Sequence, residues 1–258
     1  AQVREDVFTL YAFVRKADNF VDTVPQQKER FYAFVRTYRE ACSGAQTGDV
    51  IIDAFVDLMQ RRQFSGAWVD AFLASMEMDL TVSRYQTMDD VLEYIYGSAE
   101  VIGLMMAKIT GLHPESFPAA GMLGRAMQYI NFIRDIREDL AFNRIYFPLD
   151  ELQQHGLTSL DEDIARHNPE GFTRFIRTQI DHYCQWQAEA EQGFSYIPAR
   201  YFIPIKTASE IYKWTAKQIY SNPSIVYQRK VKPLVPRIIG TVLYTVLDKR
   251  CKVMFCPR

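Results

Sequence analysis

Three oxygen-bearing side chains recur at every fourth position between Asn131 and Asp139. Asn131, Asp135 and Asp139 are spaced i, i+4 and i+8, and an α-helix of about 3.6 residues per turn places such residues along nearly one line. Apolar residues separate them, so we expect the line to face inward or into a cleft. Gln128 and Arg134 flank it. A buried row of carboxylates needs a cation.

A second acidic stripe lies more than a hundred residues earlier. Tyr11, Arg15, Asp18 and Asp22 are four, three and four residues apart, which puts all four on one helical face. Two such stripes brought face to face by a helical bundle would repel each other unless multivalent cations lay between them. Mg²⁺ is the natural candidate, because it prefers oxygen and is held by one or two carboxylates together with substrate phosphates.

Simpler interpretations of these stripes stay open. One Asp-x-x-x-Asp pattern is more often a solvated helix face, and Arg134 could form a helix salt bridge with Glu138 instead of meeting a diphosphate. A di-iron bundle is disfavoured, because it uses Glu-x-x-His pairs and the chain has none. No phosphate-binding glycine loop is present either.

The composition is that of a globular protein. The 258 residues are 48% apolar and 24% charged, and we expect a single domain. The formal charge of −1 gives no global attraction to nucleic acid, so no such partner is expected. Four scattered cysteines without metal spacing favour reduced thiols in the cytoplasm. No apolar run is long enough to span a membrane.

Helical periodicity continues through most of the chain and predicts an all-α fold. Helices are expected over residues 3–24, 27–41, 50–64, 66–84, 87–111, 120–142, 169–195 and 199–220, with a last apolar helix after Pro236. Breaks are expected near Pro198, Pro204 and Pro223, and residues 143–156 are expected to be irregular. The basic cluster Arg229-Lys-Val-Lys232 is interpreted as a solvated segment, with contact to anionic lipid as the alternative.

Several segments together resemble the squalene/phytoene synthases, the head-to-head prenyl transferases. Arg15-Lys-Ala-Asp-Asn-Phe-Val-Asp22 and Asn131-Phe-Ile-Arg-Asp-Ile-Arg-Glu-Asp139 are similar to the family's two aspartate-rich motifs. Met78-Asp79-Leu80, Arg84-Tyr85, Tyr94-Ile-Tyr-Gly97 and Arg144-Ile-Tyr-Phe-Pro148 follow in the family's order. Two departures stand out: the family's N-terminal helix has no counterpart before Ala1, and Asn143 replaces a common Gly.

The resemblance implies an all-α isoprenoid-synthase fold around a central cavity and two prenyl diphosphate substrates. It implies Mg²⁺ ligands, with Mn²⁺ as an alternative ion, at Asp18, Asp22, Asn131, Asp135 and Asp139. It implies diphosphate contacts at Tyr11, Arg15, Gln128, Arg134 and Tyr212. Tyr94 would line the reaction cavity and would count, with the four aspartates, among the catalytic residues.

The implied reaction is a 1-1′ condensation through a cyclopropylcarbinyl diphosphate. Residues 144–148 resemble the carotenoid branch, so two geranylgeranyl diphosphates giving phytoene is the preferred version. Farnesyl diphosphate giving squalene, with NADPH, or dehydrosqualene is the alternative. A cyclising terpene synthase is disfavoured because Asn19 follows Asp18, and a non-catalytic assembly factor on the same fold remains a further alternative. A monomer or weak dimer with peripheral membrane contact is expected.

Overall fold

The computed structural model describes the backbone of residues 2–254 and the side chains of residues 2–247. This part of the chain forms two compact units. The first comprises the residues up to Ser83 together with Asp89–Gly124, and the second comprises Arg84–Met88 together with the residues from Arg125 onward. Helices dominate both units.

The first unit is a helical bundle closed around aromatic side chains. Its helices are α1 (Gln2–Asp22), α2 (Lys28–Cys42), α3 (Val50–Arg62), α4 (Gly66–Thr81), α5 (Met88–Ile95), α6 (Val101–Thr110) and the first part of α7 (Phe117–Arg134). At its centre Phe13 of α1 stacks on Phe55 of α3 with ring centroids 3.8 Å apart, and Phe34 of α2 packs beside them. All three rings are buried. Their burial fixes the rotation of α1.

The predicted helix over residues 87–111 contains a wider turn. Residues Tyr96–Glu100 form a π-helical turn between α5 and α6. Gly97 lies in this turn, and a Cβ built on it would be 2.1 Å from the carbonyl oxygen of Ala71 in α4. Because no Cβ fits at that distance, glycine is required for this close approach of the two helices.

The second unit contains a short parallel strand pair, β1 (Arg84–Tyr85) with β2 (Ile145–Pro148). The expectations of helix through Arg84 and of irregular structure over 143–156 were therefore wrong. All four residues of β2 are buried, so they show no alternation, and the pairing partner is about sixty residues away. Local periodicity reports neither property.

Helices make up the rest of the second unit. They are α8 (Ile136–Ala141), α9 (Leu149–Gln154), α10 (Glu162–His167), α11 (Pro169–Glu191), α12 (Ala199–Ser221), α13 (Ile225–Gln228) and α14 (Val235–Met254). The predicted break at Pro204 was wrong, because α12 continues through it. This proline lies in the second turn with an exposed side chain, where it removes only one backbone hydrogen bond.

The predicted continuous helix over 120–142 is interrupted at Asp135. There φ is −104° and ψ is 14°, outside the helical values, so α7 ends at Arg134 and α8 begins at Ile136. Backbone hydrogen bonds nevertheless continue across the break, from Asp135 N to Asn131 O at 2.8 Å and from Asp139 N to Asp135 O at 2.9 Å. The interruption therefore leaves the i, i+4 hydrogen bonding of the acidic stripe intact.

Candidate functional site

The first motif lies on the face of α1 opposite to its buried side. Leu10, Phe13, Ala17 and Val21 are buried and anchor the helix in the first unit. Tyr11, Arg15 and Asp22 are exposed, whereas the Asp18 side chain is 29% exposed. The helical spacing predicted this common face correctly.

Charges within the first motif act on one another. Arg15 Nη1 donates to Asp18 Oδ2 at 2.5 Å. Burial raises the pKa of Asp18, and the negative charge of Asp22 raises it further, to about 6, although Arg15 opposes both effects. Two carboxyl groups that repel each other in this way are suited to share a cation, which would relieve the repulsion.

A hydrogen-bond chain fixes the end of α1 behind the motif. Gln26 Nε2 donates to the carbonyl oxygens of Val21 at 2.9 Å and Asp79 at 2.8 Å, and so ties α1 to α4. Asp79 Oδ2 in turn accepts a hydrogen bond from the Tyr94 hydroxyl at 2.8 Å. Both side chains are buried. The sequence pattern pointed to Tyr94 but not to Gln26, since a side chain that bonds only backbone oxygens leaves no motif.

Tyr94 is placed inside the first unit. The residue is 4% exposed, and its backbone carbonyl accepts a hydrogen bond from the Ser75 hydroxyl at 2.9 Å. The tyrosine is thus held at both its main chain and its hydroxyl. The predicted role of Tyr94 in a reaction cavity stays a prediction.

The second motif is organised around Asp135. Arg134 Nε and Nη2 each donate to this carboxylate at 2.7 Å, one to each oxygen. Lys230 Nζ lies 2.8 Å from Asp135 Oδ2. Burial alone would raise the pKa of Asp135, but the hydrogen bonds from Arg134 and Lys230 lower it below its usual value. Arg134 therefore pairs with Asp135. The simpler interpretation had expected it to pair with Glu138.

Tyr212 and Asp139 belong to the same surroundings. Burial lowers the pKa of Arg134, yet Asp135 and a hydrogen bond with Tyr212 raise it above the usual value, which places Tyr212 beside the arginine. Burial, followed by the charge of Asp135, raises the pKa of Asp139 to about 8. The second unit thus brings together four of the predicted residues: Arg134, Asp135, Asp139 and Tyr212.

Asn131 carries an oxygen without a hydrogen-bond partner. Its Oδ1 atom is buried, and no described donor bonds to it. A buried unpaired acceptor costs about 1–3 kcal/mol, so it calls for an explanation. An amide oxygen one helical turn before a carboxylate is a suitable ligand for a hard cation such as Mg²⁺. Gln128 lies three residues earlier on α7 and is half-buried.

The available ligands suit Mg²⁺ coordinated partly by water and phosphate better than a metal ion coordinated wholly by protein side chains. Among the residues that the structure describes, no three His, Cys, Asp or Glu side chains converge to hold a metal ion. Each motif instead contributes carboxylate oxygens in small number, Asp18 with Asp22 and Asp135 with Asp139. Mg²⁺ is commonly bound by one or two carboxylates with water and phosphate oxygens completing the shell.

Lys230 is the residue that sequence reasoning misplaced. The basic cluster was interpreted as a solvated segment, but Lys230 contacts Asp135 and lies 3.8 Å from Glu138. Nearby, Arg137 Nη1 donates to the carbonyl oxygen of Tyr227 at 3.0 Å and ties α8 to α13, just ahead of the lysine. Asp135 and Lys230 are 95 positions apart in the sequence, so no local pattern reports this contact.

Comparison with known proteins adds independent findings. A family model described as squalene/phytoene synthase matches residues 1–237. The 15-cis-phytoene synthase of Enterobacter agglomerans is 29% identical over 255 residues, which cover 94% of this chain and 86% of the relative. The phytoene synthase of Paracoccus sp. is 29% identical over 248 residues, covering 92% of this chain and 80% of the relative.

Solved structures share the fold. A squalene synthase from Alicyclobacillus acidocaldarius superposes with a TM-score of 0.75 at 23% identity, covering 85% of this chain and 83% of that one. A dehydrosqualene synthase in complex with a ligand superposes with a TM-score of 0.79 at 20% identity, covering 97% and 88%. At these identities the likeness shows the fold, and the predicted all-α isoprenoid-synthase class is confirmed.

Proposed function

Because the chain belongs to the squalene/phytoene synthase family, we propose that it joins two prenyl diphosphates head to head, between carbon 1 of each. Members of this family are prenyltransferases, and so is this chain. The preferred substrates are two molecules of geranylgeranyl diphosphate and the product is phytoene. The reaction would release two diphosphates and two protons through a cyclopropylcarbinyl diphosphate.

One recurring observation carries this proposal. In both motifs an arginine is bonded to an aspartate, Arg15 to Asp18 and Arg134 to Asp135. Guanidinium groups form paired hydrogen bonds with phosphate oxygens, and carboxylates bind the Mg²⁺ that accompanies them. A diphosphate needs both kinds of partner, so the same pairing at two places in the chain suits a reaction with two diphosphate substrates.

We assign the following roles to residues of this chain. Asp18, Asp22, Asn131, Asp135 and Asp139 would hold Mg²⁺, with Mn²⁺ as an alternative ion. When bound, the ion would stabilise the negative charge that develops on the departing diphosphate. Tyr11, Arg15, Gln128, Arg134 and Tyr212 would hold diphosphate oxygens. Tyr94 would line the hydrocarbon cavity, where an aromatic ring face stabilises a carbocation and apolar walls exclude water.

Aspartate variants test the metal assignment. Asp18→Asn or Asp135→Asn should abolish Mg²⁺-dependent diphosphate release while thermal melting stays cooperative, because the amide keeps the shape but loses the charge. Asp181→Asn, at an exposed position of α11, is the matched control and should keep full activity. Full activity in either motif variant would exclude the assignment.

Product identification separates the versions of the reaction. The protein would be incubated with C15 or C20 diphosphate, each with and without NADPH, and the hydrocarbon identified by mass spectrometry. Phytoene from the C20 substrate is expected. A C30 product would instead assign a squalene synthase, if NADPH is consumed, or a dehydrosqualene synthase, if it is not. No hydrocarbon from any combination would favour the assembly factor.

Several further expectations remain proposals beside this function. They are a single domain over residues 1–258, a cytoplasmic location, a monomer or weak dimer, and peripheral contact with a membrane. Of the four cysteines, Cys42 and Cys184 are free thiols on the surface. The side chain of Cys251 and the whole of Cys256 lie outside the described residues.

A further inference from the structure

Helix α14 exposes an apolar stripe on the second unit. Val235, Ile239, Leu243 and Leu247 recur at every fourth position and are 55–67% exposed. Residues with this spacing lie along one face of a helix. Leu234, just before the helix, is 77% exposed and extends the apolar surface at its N-terminal end. We call these five residues the α14 stripe. Contiguous exposed apolar surface of this kind marks a contact site.

Cations lie next to the α14 stripe. An open cavity of about 970 Å³ beside α12 and α14 has Leu234 of the stripe in its wall. Six cations line the same cavity. Lys213 and Lys230 are paired with carboxylates, and we call the other four, Lys217, Arg229, Lys232 and Arg237, the basic rim. No described carboxylate forms an ion pair with the basic rim. Glu210, which also lines the cavity, is bonded instead to Lys206 and Lys213. Arg237 lies 4.8 Å from the ring centroid of Trp214.

We propose that the α14 stripe and the basic rim together bind the surface of an anionic lipid bilayer. An amphipathic helix lies in the membrane interface with its apolar side chains among the upper acyl chains, and neighbouring cations meet the acidic headgroups. The described part of the chain contains no helix long and apolar enough to cross a membrane.

Charge decides between a bilayer and a second copy of the chain. A two-fold contact through the α14 stripe would place the same patch of both copies together. The two basic rims would then lie close to one another with no described acidic partner, and like charges repel. An anionic bilayer instead supplies both an apolar layer and negative charge, so it matches the whole surface.

The inference names the surface that makes the expected membrane contact, and it does not depend on the proposed reaction. Lipid binding is measured without substrate, and the residues changed are not among those assigned to metal or diphosphate. Failure of catalysis and failure of lipid binding are thus separate results.

Vesicle flotation of the full chain tests the proposal. Binding is expected for phosphatidylcholine vesicles containing about 30 mol% phosphatidylglycerol and should fall at about 0.5 M NaCl, where exposed charges are screened. Ile239→Asp with Leu243→Asp should weaken binding about tenfold or more. Lys232→Glu with Arg237→Glu should weaken binding to anionic vesicles to the level seen with pure phosphatidylcholine. Val50→Asp, at an 80% exposed position of α3, is the control and should bind like the wild type.

Three outcomes would overturn the proposal. One is equal binding of wild type and stripe variants to anionic vesicles. Another is the absence of binding by the wild type. The third is a wild-type dimer in sedimentation velocity that Ile239→Asp converts to monomer without any lipid binding, which would make the α14 stripe a self-contact. Far-UV circular dichroism and melting of each variant ensure that a loss of binding is not a loss of fold, and the single variant Leu243→Ser repeats the test more mildly.

Discussion

Asp135 has two cationic partners, and they come from very different distances along the chain. Arg134 is its neighbour in sequence, so the motif itself contains that pair, whereas Lys230 is brought in by the fold. At the residue scale, the acidic positions and their arginines could be predicted from helical spacing. Lys230 could not, because contacts between remote residues have no period.

Lys230→Gln should lower kcat/KM about tenfold, since one charge-assisted hydrogen bond at the second motif is lost. The melting temperature should change little, because Asp135 keeps its bonds with Arg134. Steady-state kinetics in detergent micelles would measure the effect. Lys232→Gln, two residues away and exposed, should retain wild-type kinetics; an equal loss in both variants would point to general charge and not to Lys230.

Asn143 has a φ of 57°, in the left-handed region where glycine and asparagine are favoured. The replacement of a common Gly by Asn is therefore explained by backbone conformation. Both Asn143→Ala and Asn143→Gly lose the hydrogen bond that Arg84 Nη2 donates to Asn143 Oδ1 at 3.0 Å, but only alanine is strained at this φ, so Asn143→Ala should have a free energy of unfolding about 1 kcal/mol lower than Asn143→Gly. Urea unfolding would show the difference. Equal stability of the two variants would contradict the conformational explanation.

At the scale of elements, most helices followed from apolar periodicity, and the errors have identifiable causes. The break at Asp135 and the π turn at Tyr96–Glu100 change backbone geometry without changing the apolar pattern. Strand β2 is buried on all sides and pairs with a distant two-residue strand. Such features depend on tertiary contacts, which override local preference.

Helices α1 and α3 are joined by a buried ionic contact. Asp6 is 1% exposed, and Arg61 and Arg62 both bond to it, at distances from 2.5 to 3.1 Å. Although burial opposes it, hydrogen bonds from Gln2, Arg62 and Arg61 lower the pKa of Asp6. Asp6→Asn should cost about 2 kcal/mol of stability near pH 7, less than for a fully buried pair because both arginines are partly exposed.

The same contact gives a pH dependence with a defined sign. A carboxyl group with a lowered pKa in the folded protein contributes its full stability above the unfolded value of about 3.9, and loses it as pH falls through the folded value. The stability difference between wild type and Asp6→Asn should therefore shrink below about pH 4. Urea midpoints from pH 3 to pH 7 would measure it. A constant difference over this range would contradict the ionic explanation.

At the scale of the whole molecule, a net charge of −1 conceals strong local asymmetry. Acidic stripes occur on α1 and at the junction of α7 and α8, whereas the four cations of the basic rim, which have no described carboxylate partner, gather beside α14. A total charge near zero predicts no global attraction to nucleic acid, but it could not report that one surface of the second unit is basic.

Mg²⁺ and inorganic diphosphate added together should raise the melting temperature of the whole protein, because ligands that bind only the folded state stabilise it by mass action. At a free ligand concentration of about one hundred times the dissociation constant, the free energy of unfolding should rise by about 2.7 kcal/mol. Removal of the metal with EDTA should reverse the shift, and Asp135→Asn should reduce it. An identical shift in wild type and variant, measured by differential scanning fluorimetry, would place the binding elsewhere.

The buried Oδ1 atom of Asn131, which has no hydrogen-bond partner, implies a conflict between stability and activity. A buried acceptor without a donor weakens the protein by itself, and so does the crowding of Asp18 with Asp22. A search for variants that merely survive heating would favour apolar replacements at position 131 and lose the prenyl transfer proposed for this chain. Selection for heat resistance alone would thus be a misleading guide for engineering this protein, because the atoms that destabilise the fold are the ones assigned to metal binding.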